Sequence, residues 1–264
     1  MPEWNIMNIW NIGNIWDIGV FSIAAIAFTI FWGRILWYFD EKSNLLPRFI
    51  FYFMTFTRMT FPEIKSLILS FIYYIFGLLG GLAFSFSYHI DIVRLFDFRV
   101  QFIPLILLGI MAQISLANFF ISIYLKIMKH KRINPFLEIQ NSPWISGILR
   151  LPKFFVPLAP VVGGLMEEFF FRGILLIILI MKLFVQPLMA IIFVTVLFLM
   201  EQWLQLRTPV QRIIIGLGSF AISLVGGILV IYTGSIIPAA IAHMSFVVFY
   251  FGYSTPTSAS IWIK

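Results

Sequence analysis

Two adjacent carboxylates and a guanidinium stand in an otherwise apolar run, Gly163-Gly164-Leu165-Met166-Glu167-Glu168-Phe169-Phe170-Phe171-Arg172-Gly173. At the centre of a membrane helix each such charge costs about 2.5–3.5 kcal/mol even on insertion-based scales. These three groups therefore require a bundle interior, a wet cavity or one another. Glu168 and Arg172 lie four residues apart, acid before base, and share one helix face, so they can pair. Glu167, one position earlier, is turned about 100° away and lacks that partner. Different jobs follow: Glu168 stays paired with Arg172, and Glu167 can exchange a proton with a bound water. The competing reading is a buried ionic knot that fixes helix packing and does no chemistry.

Two later apolar stretches offer partners. One ends in Glu201-Gln202-Trp203; the other holds His243, which among the three histidines is the one deep in an apolar span. A buried histidine can be packing alone. Meeting Glu167 and Glu168, it would complete a set of base, auxiliary carboxylate and polarising imidazole, able to activate water against an amide carbonyl. The same groups form an incomplete ligand set for one divalent metal, completed if Glu201 joins. Ser245, two residues from His243, faces elsewhere, so a serine nucleophile has weak support. The chain has no cysteine, which excludes disulfides, thiol nucleophiles and Cys-ligated metals. No glycine-rich phosphate loop or dinucleotide fingerprint occurs.

The elements that must position these residues are membrane helices. Of 264 residues 61% are hydrophobic and 11% charged, against about 45–50% and about 25% in soluble chains. Apolar blocks are expected at about 18–38, 66–88, 102–127, 156–180, 187–203, 213–232 and 236–250. The block 45–61 carries Pro47, Arg48 and Arg58 and reads either as a short crossing or as an interfacial helix. The fold expected is an all-α polytopic membrane bundle with seven or eight transmembrane helices. The net charge of +7 sits mostly in short connecting segments, where it orients helices against anionic lipid; a nucleic-acid partner gets little support. The positive-inside rule places the run Lys129-His130-Lys131-Arg132 in the cytoplasm, together with Arg58, Lys65, Arg207 and Arg212, and segment 89–99 outside. Residues 1–17, with Asn5, Asn8, Asn11 and Asn14 spaced by three and tryptophans interleaved, read as an interfacial or low-complexity leader. No cleavable signal peptide is expected there. Residues 18–149 follow as amino-terminal membrane helices, and 150–264 as the core helices that carry the polar site.

Those core helices resemble the CPBP family, the CAAX-protease and bacteriocin-processing group of glutamic-type intramembrane endopeptidases. The family's first motif, a glutamate pair with arginine four after the second and then glycine, matches Glu167, Glu168, Arg172 and Gly173. Its second motif, phenylalanine with histidine four later, falls on Phe198 and Gln202. The third, histidine with asparagine or aspartate four later, falls on His243 and Val247. The resemblance implies that Glu167 and the second-motif residue activate water, that the third motif stabilises the oxyanion, and that substrates are prenylated carboxyl-terminal peptides, leader peptides or other membrane-bound peptides. Gln202 is no general base near neutral pH, and Val247 offers no hydrogen bond. Glu201 as a replacement base and Gln202 as an oxyanion donor are the repairs expected of an active enzyme. An inactive relative that binds a membrane peptide or partner protein is the alternative, and a transporter is the third. Membrane lipids are the remaining expected partners.

Overall fold

The computed structural model describes residues 13–128 and 133–254, and all their regular elements are helical. In chain order these are α1 (Gly13–Trp37), α2 (Leu45–Phe56), α3 (Phe61–Ser87), α4 (Ile92–Leu95), α5 (Ile103–Ile127), α6 (Pro135–Gln140), α7 (Pro143–Ile148), α8 (Leu158–Glu167), α9 (Pro187–Gln205), α10 (Pro209–Thr233) and α11 (Ile237–Ser254). Asn5, Asn8 and Asn11 of the leader, and the basic run 129–132, lie outside the described residues. The first helix begins at Gly13 and so takes in the end of the expected leader.

Among the described residues five helices are long and apolar enough to cross a bilayer: those at Ile15–Asp40, Phe61–Ser87, Val100–Ile127, Pro187–Gln205 and Pro209–Thr233. At about 1.5 Å per residue even 19 residues reach the roughly 30 Å of a hydrocarbon core. Their outward faces are apolar: Phe31, Phe71, Phe86 and Leu107 are all exposed, as lipid rather than water requires. The protein is a multi-pass, all-α membrane bundle. By contrast, α2 has 12 residues and reaches about 18 Å. It tucks Leu46 and Ile50 against Ile64 and leaves Phe49, Phe51, Tyr52, Phe53 and Phe56 exposed.

Helix starts are marked by proline in the first turn of α3, α5, α6, α7, α9 and α10, where the missing N–H has no intrahelical partner to lose. Thr208 and Gln211 form a reciprocal capping box that opens α10. Gly234, at φ +70°, closes the same helix, a left-handed position that favours glycine.

The helix expected across 156–180 is not uniform. After α8 the chain passes into a π-helical turn, Glu168–Leu175, and a second one at Ile178–Lys182. In the first, bonding runs from i to i+5, and the Leu176 N–H reaches Phe171 O. Wider turns of this kind gather at functional positions. Every residue from Glu168 to Leu175 is buried. Phe170 lies against Phe28 at 5.0 Å between ring centres, and Phe171 against Phe198 at 5.2 Å. The pair Gly80-Gly81 sits where Cβ atoms would strike the rings of Phe28 and Phe169.

Around this central turn α10 packs on α5 and α9, α11 on α5, α1 on α9, and α3 on the π-helical segment. At one end of the bundle Ile236 N and Ser235 Oγ donate to Leu95 O, at 2.8 and 3.1 Å. At the other end Asp40 pairs with Lys65 at 2.6 Å and with Arg207 at 3.6 Å. The polar site lies between these ties.

Candidate active site

Glu168, Arg172 and His243 form a fully or almost fully buried cluster. Arg172 Nη1 stands 3.1 Å from Glu168 Oε1, and His243 Nδ1 stands 2.9 Å from the same oxygen. The arginine–glutamate contact is ionic: none of the guanidinium nitrogens meets hydrogen-bond geometry with any described residue. The guanidinium instead lies over the Phe198 ring, 4.3 Å from its centre, a cation–π contact that strengthens when water is absent. Gly226 of α10 packs beside the pair: a Cβ there would stand in van der Waals contact with Glu168 Oε2, at 3.4 Å. An ionised Glu168 accepts from the Nδ1–H of His243, which leaves Nε2 as the available ring nitrogen.

That nitrogen faces Glu167. His243 Nε2 and Glu167 Oε2 are 3.7 Å apart. The other carboxylate oxygen, Oε1, accepts from Tyr73 Oη at 2.6 Å and from Gln202 Nε2 at 3.2 Å. Gln202 Nε2 also donates to Glu201 Oε2 at 2.9 Å, and Gln205 Nε2 donates to Glu201 Oε1. Glu167, Gln202 and His243 converge, while Glu201 is buried behind Gln202.

The two repairs suggested by the sequence meet this geometry badly. Gln202 spends its amide nitrogen on two carboxylates, so no N–H is left for an oxyanion. Glu201 is held by two amides and is absent from the cavity wall formed by described residues. Among the described residues no group of three or more His, Cys, Asp or Glu is arranged to hold a metal ion. Glu201 does not complete such a set because its carboxylate points at Gln202 and Gln205.

A cavity of about 470 Å³ reaches this point. Its polar floor is Tyr73, Glu167, Gln202 and His243; Phe198 and Val247 also line it, and Arg34, Asp40, Arg207 and Arg212 stand at its other end. Between floor and rim the wall is largely aliphatic and aromatic, including Trp37, Ile121, Trp144 and Phe246. Such a space fits an apolar chain carrying a peptide bond to the floor.

Residues 150–249 match the family model described as Type II CAAX prenyl endopeptidase Rce1-like. Over that stretch, rather more than a third of the chain, the sequence is similar to the CAAX-protease family. No curated protein and no solved structure matches the chain. The bundle is CAAX-protease-like over residues 150–249, and the buried Glu168–Arg172–His243 cluster, which lies within that stretch, is consistent with catalytic machinery. The positions that resemble the three motifs fall together: Glu167 and His243 face one another, and Phe198, Gln202 and Val247 share the cavity wall. Sequence reasoning missed Tyr73, which lies outside the matched segment. Its signal was a pair of hydroxyls, Tyr73-Tyr74, in the middle of an apolar span, where buried tyrosine normally seeks a polar partner.

Proposed function

We propose that the protein is an intramembrane endopeptidase that hydrolyses a peptide bond near the end of a membrane-bound, prenylated or leader peptide. Glu167 takes a proton from the attacking water and passes it to the leaving amine. His243, oriented by Glu168, supports the developing oxyanion through Nε2, which needs the imidazole in its protonated form. Arg172 holds Glu168, Gln202 helps to hold Glu167, and Glu201 holds Gln202. The observation that carries this reading is the placement of Glu167 Oε2 opposite His243 Nε2, 3.7 Å away, on the floor of a largely apolar cavity. The test is cleavage of an internally quenched, S-farnesylated CAAX peptide by the full chain in proteoliposomes. Glu167→Gln is expected to abolish turnover; undiminished cleavage by that variant defeats the proposal.

A second reading is favoured by Gln202 and Val247, which replace two groups of the family's motifs. In it the chain is an inactive relative that captures a membrane peptide in the same cavity. It predicts binding of the farnesylated peptide without cleavage, retained in Glu167→Gln and lost when Trp144→Ala opens the cavity wall.

For topology we infer seven crossings: the five long helices, the segment 158–182 and α11, with α2 lying in the interface. The length of α2 supports this, and so do its exposed aromatic face, Arg48 in its first turn and Arg58 just beyond its end. The amino terminus then lies outside, and the Arg34, Arg207 and Arg212 rim of the cavity faces the cytoplasm. Residues 18–149 form the scaffold half, and 150–264 the half that bears the motifs.

A further inference from the structure

We infer that Tyr73 is a positioning residue for Glu167, supplied by the part of the chain outside the family match, and that its phenol decides which carboxylate oxygen faces the substrate. The inference rests on Glu167 being the reactive carboxylate. An ionised carboxylate has two equivalent oxygens, and its terminal torsion is broad and two-fold. Left alone, Glu167 would exchange them. Tyr73 Oη donates to Oε1 at 2.6 Å and Gln202 Nε2 to the same oxygen at 3.2 Å. Both donors on one oxygen leave Oε2 alone to face His243 Nε2. The phenol bond is the shorter of the two, as an O–H donor is against an N–H donor on the same oxygen.

The phenol is itself fixed from α1. Trp32 is fully buried, its Nε1 donates to Tyr73 O at 3.0 Å, and its ring stacks on that of Tyr73 at 4.9 Å and 27°. One turn further along α3, a Cβ on Gly77 would come within 2.6 Å of Trp32 Cζ2. Glycine at that position is what lets the indole lie against Tyr73. The adjacent Tyr74 donates to Ala159 O at 2.7 Å. Successive tyrosines of α3 therefore grip α8 at both ends, one by backbone near its start and one by the Glu167 side chain at its close. None of Trp32, Tyr73, Tyr74 and Gly77 lies within residues 150–249.

The experiment uses the full chain in proteoliposomes with the farnesylated, internally quenched CAAX peptide. Tyr73→Phe keeps the ring and its stack but removes the donor, and kcat is expected to fall about 10- to 100-fold. KM should stay within about 2-fold, as for an interaction that matters in the transition state. In pH-difference infrared spectra, with the Glu167 band assigned by its loss in Glu167→Gln, the carboxyl band should shift in Tyr73→Phe. Incorporation of 3-fluorotyrosine at position 73 restores the hydroxyl and should restore most of kcat. An unchanged kcat together with an unmoved Glu167 band overturns the inference, as does a change confined to KM. If the wild-type chain does not cleave the peptide, the peptidase reading fails, and the infrared band alone decides the role of Tyr73. If Tyr73→Phe does not fold, the fluorotyrosine chain decides, because its more acidic hydroxyl should move the Glu167 band; no movement overturns the inference.

Discussion

Replacing Arg172 by methionine leaves Glu168 in the bundle interior with one remaining polar partner, His243. Both Arg172 and Glu168 have no exposed surface, so water cannot take over from the lost cation. Breaking a buried ion pair by removing one partner typically costs about 3–5 kcal/mol, and the lost contact with the Phe198 ring, 4.3 Å away, adds about 0.5–2 kcal/mol. Two features work the other way. His243 Nδ1, 2.9 Å from Glu168 Oε1, keeps its hydrogen bond to that carboxylate. The methionine side chain also fills the volume without the desolvation cost of an arginine whose nitrogens make no hydrogen bond. The net expectation is a loss of about 3 kcal/mol for the single variant. The double variant Glu168→Gln with Arg172→Met removes both charges and should recover at least about 1.5 kcal/mol of it, because no uncompensated ion remains. The measurement is reversible unfolding in detergent micelles, followed by tryptophan emission across the four-member cycle. An Arg172→Met chain within about 1 kcal/mol of wild type, with no coupling in the cycle, would refute the claim that these charges are mutually compensating.

Gln202→His restores the residue of the family's second motif beside Glu167; if the missing base limits the chemistry, turnover of the farnesylated peptide should rise by about 10-fold or more, and a fall would show that the amide bridge to Glu201 matters more. Gly77→Ala forces the Trp32 indole off the Tyr73 ring and should cost about 1–3 kcal/mol of stability, read by the same unfolding assay and accompanied by a lower kcat. The chain lacks cysteine, so single-cysteine variants report topology: a membrane-impermeant thiol reagent applied to intact cells should label Arg94→Cys, and Arg207→Cys only after permeabilisation.

Much of the bundle was legible because the solvent is lipid. Apolar blocks long enough to span it are read off directly, and the observed α3, α5, α9 and α10 lie within a few residues of their expected bounds. Lys65 and Arg207, expected on one side, do lie at one end of the bundle, each paired with Asp40. The break of the segment after Glu167 into π-helical turns was not legible, because the pattern of apolar residues is the same for an α-helix that is buried all round. Within the site, the spacing of Glu168 and Arg172 foretold their contact, whereas their meeting with His243 depends on how the central segment and α11 pack, which no local pattern records. Tyr73 was hidden for the same reason: its partner is 94 positions away.

Gln202 changes how the site is held, and that change explains why Glu201 is buried beside it. A neutral histidine at this position would carry one N–H and could satisfy only one of two neighbouring carboxylates. The glutamine amide serves both Glu167 and Glu201, so each stays hydrogen-bonded in a region where an unpaired charge is expensive. Gln205 supplies Glu201 with a second donor from one turn further along α9. The three residues Glu201, Gln202 and Gln205 thus act as one bracket behind Glu167, with Tyr73 completing it from α3. A site that had merely decayed would be expected to shed its buried carboxylates, since each costs desolvation free energy and a hydrophobic replacement is often stabilising. This one holds Glu167, Glu168 and Glu201, and Glu167 lines a cavity. Three compensated carboxylates around one cavity are the physical argument for the proposed chemistry at Glu167; under that proposal Gln202 and Val247 alter the strength of the base and of the oxyanion support rather than the identity of the reacting group.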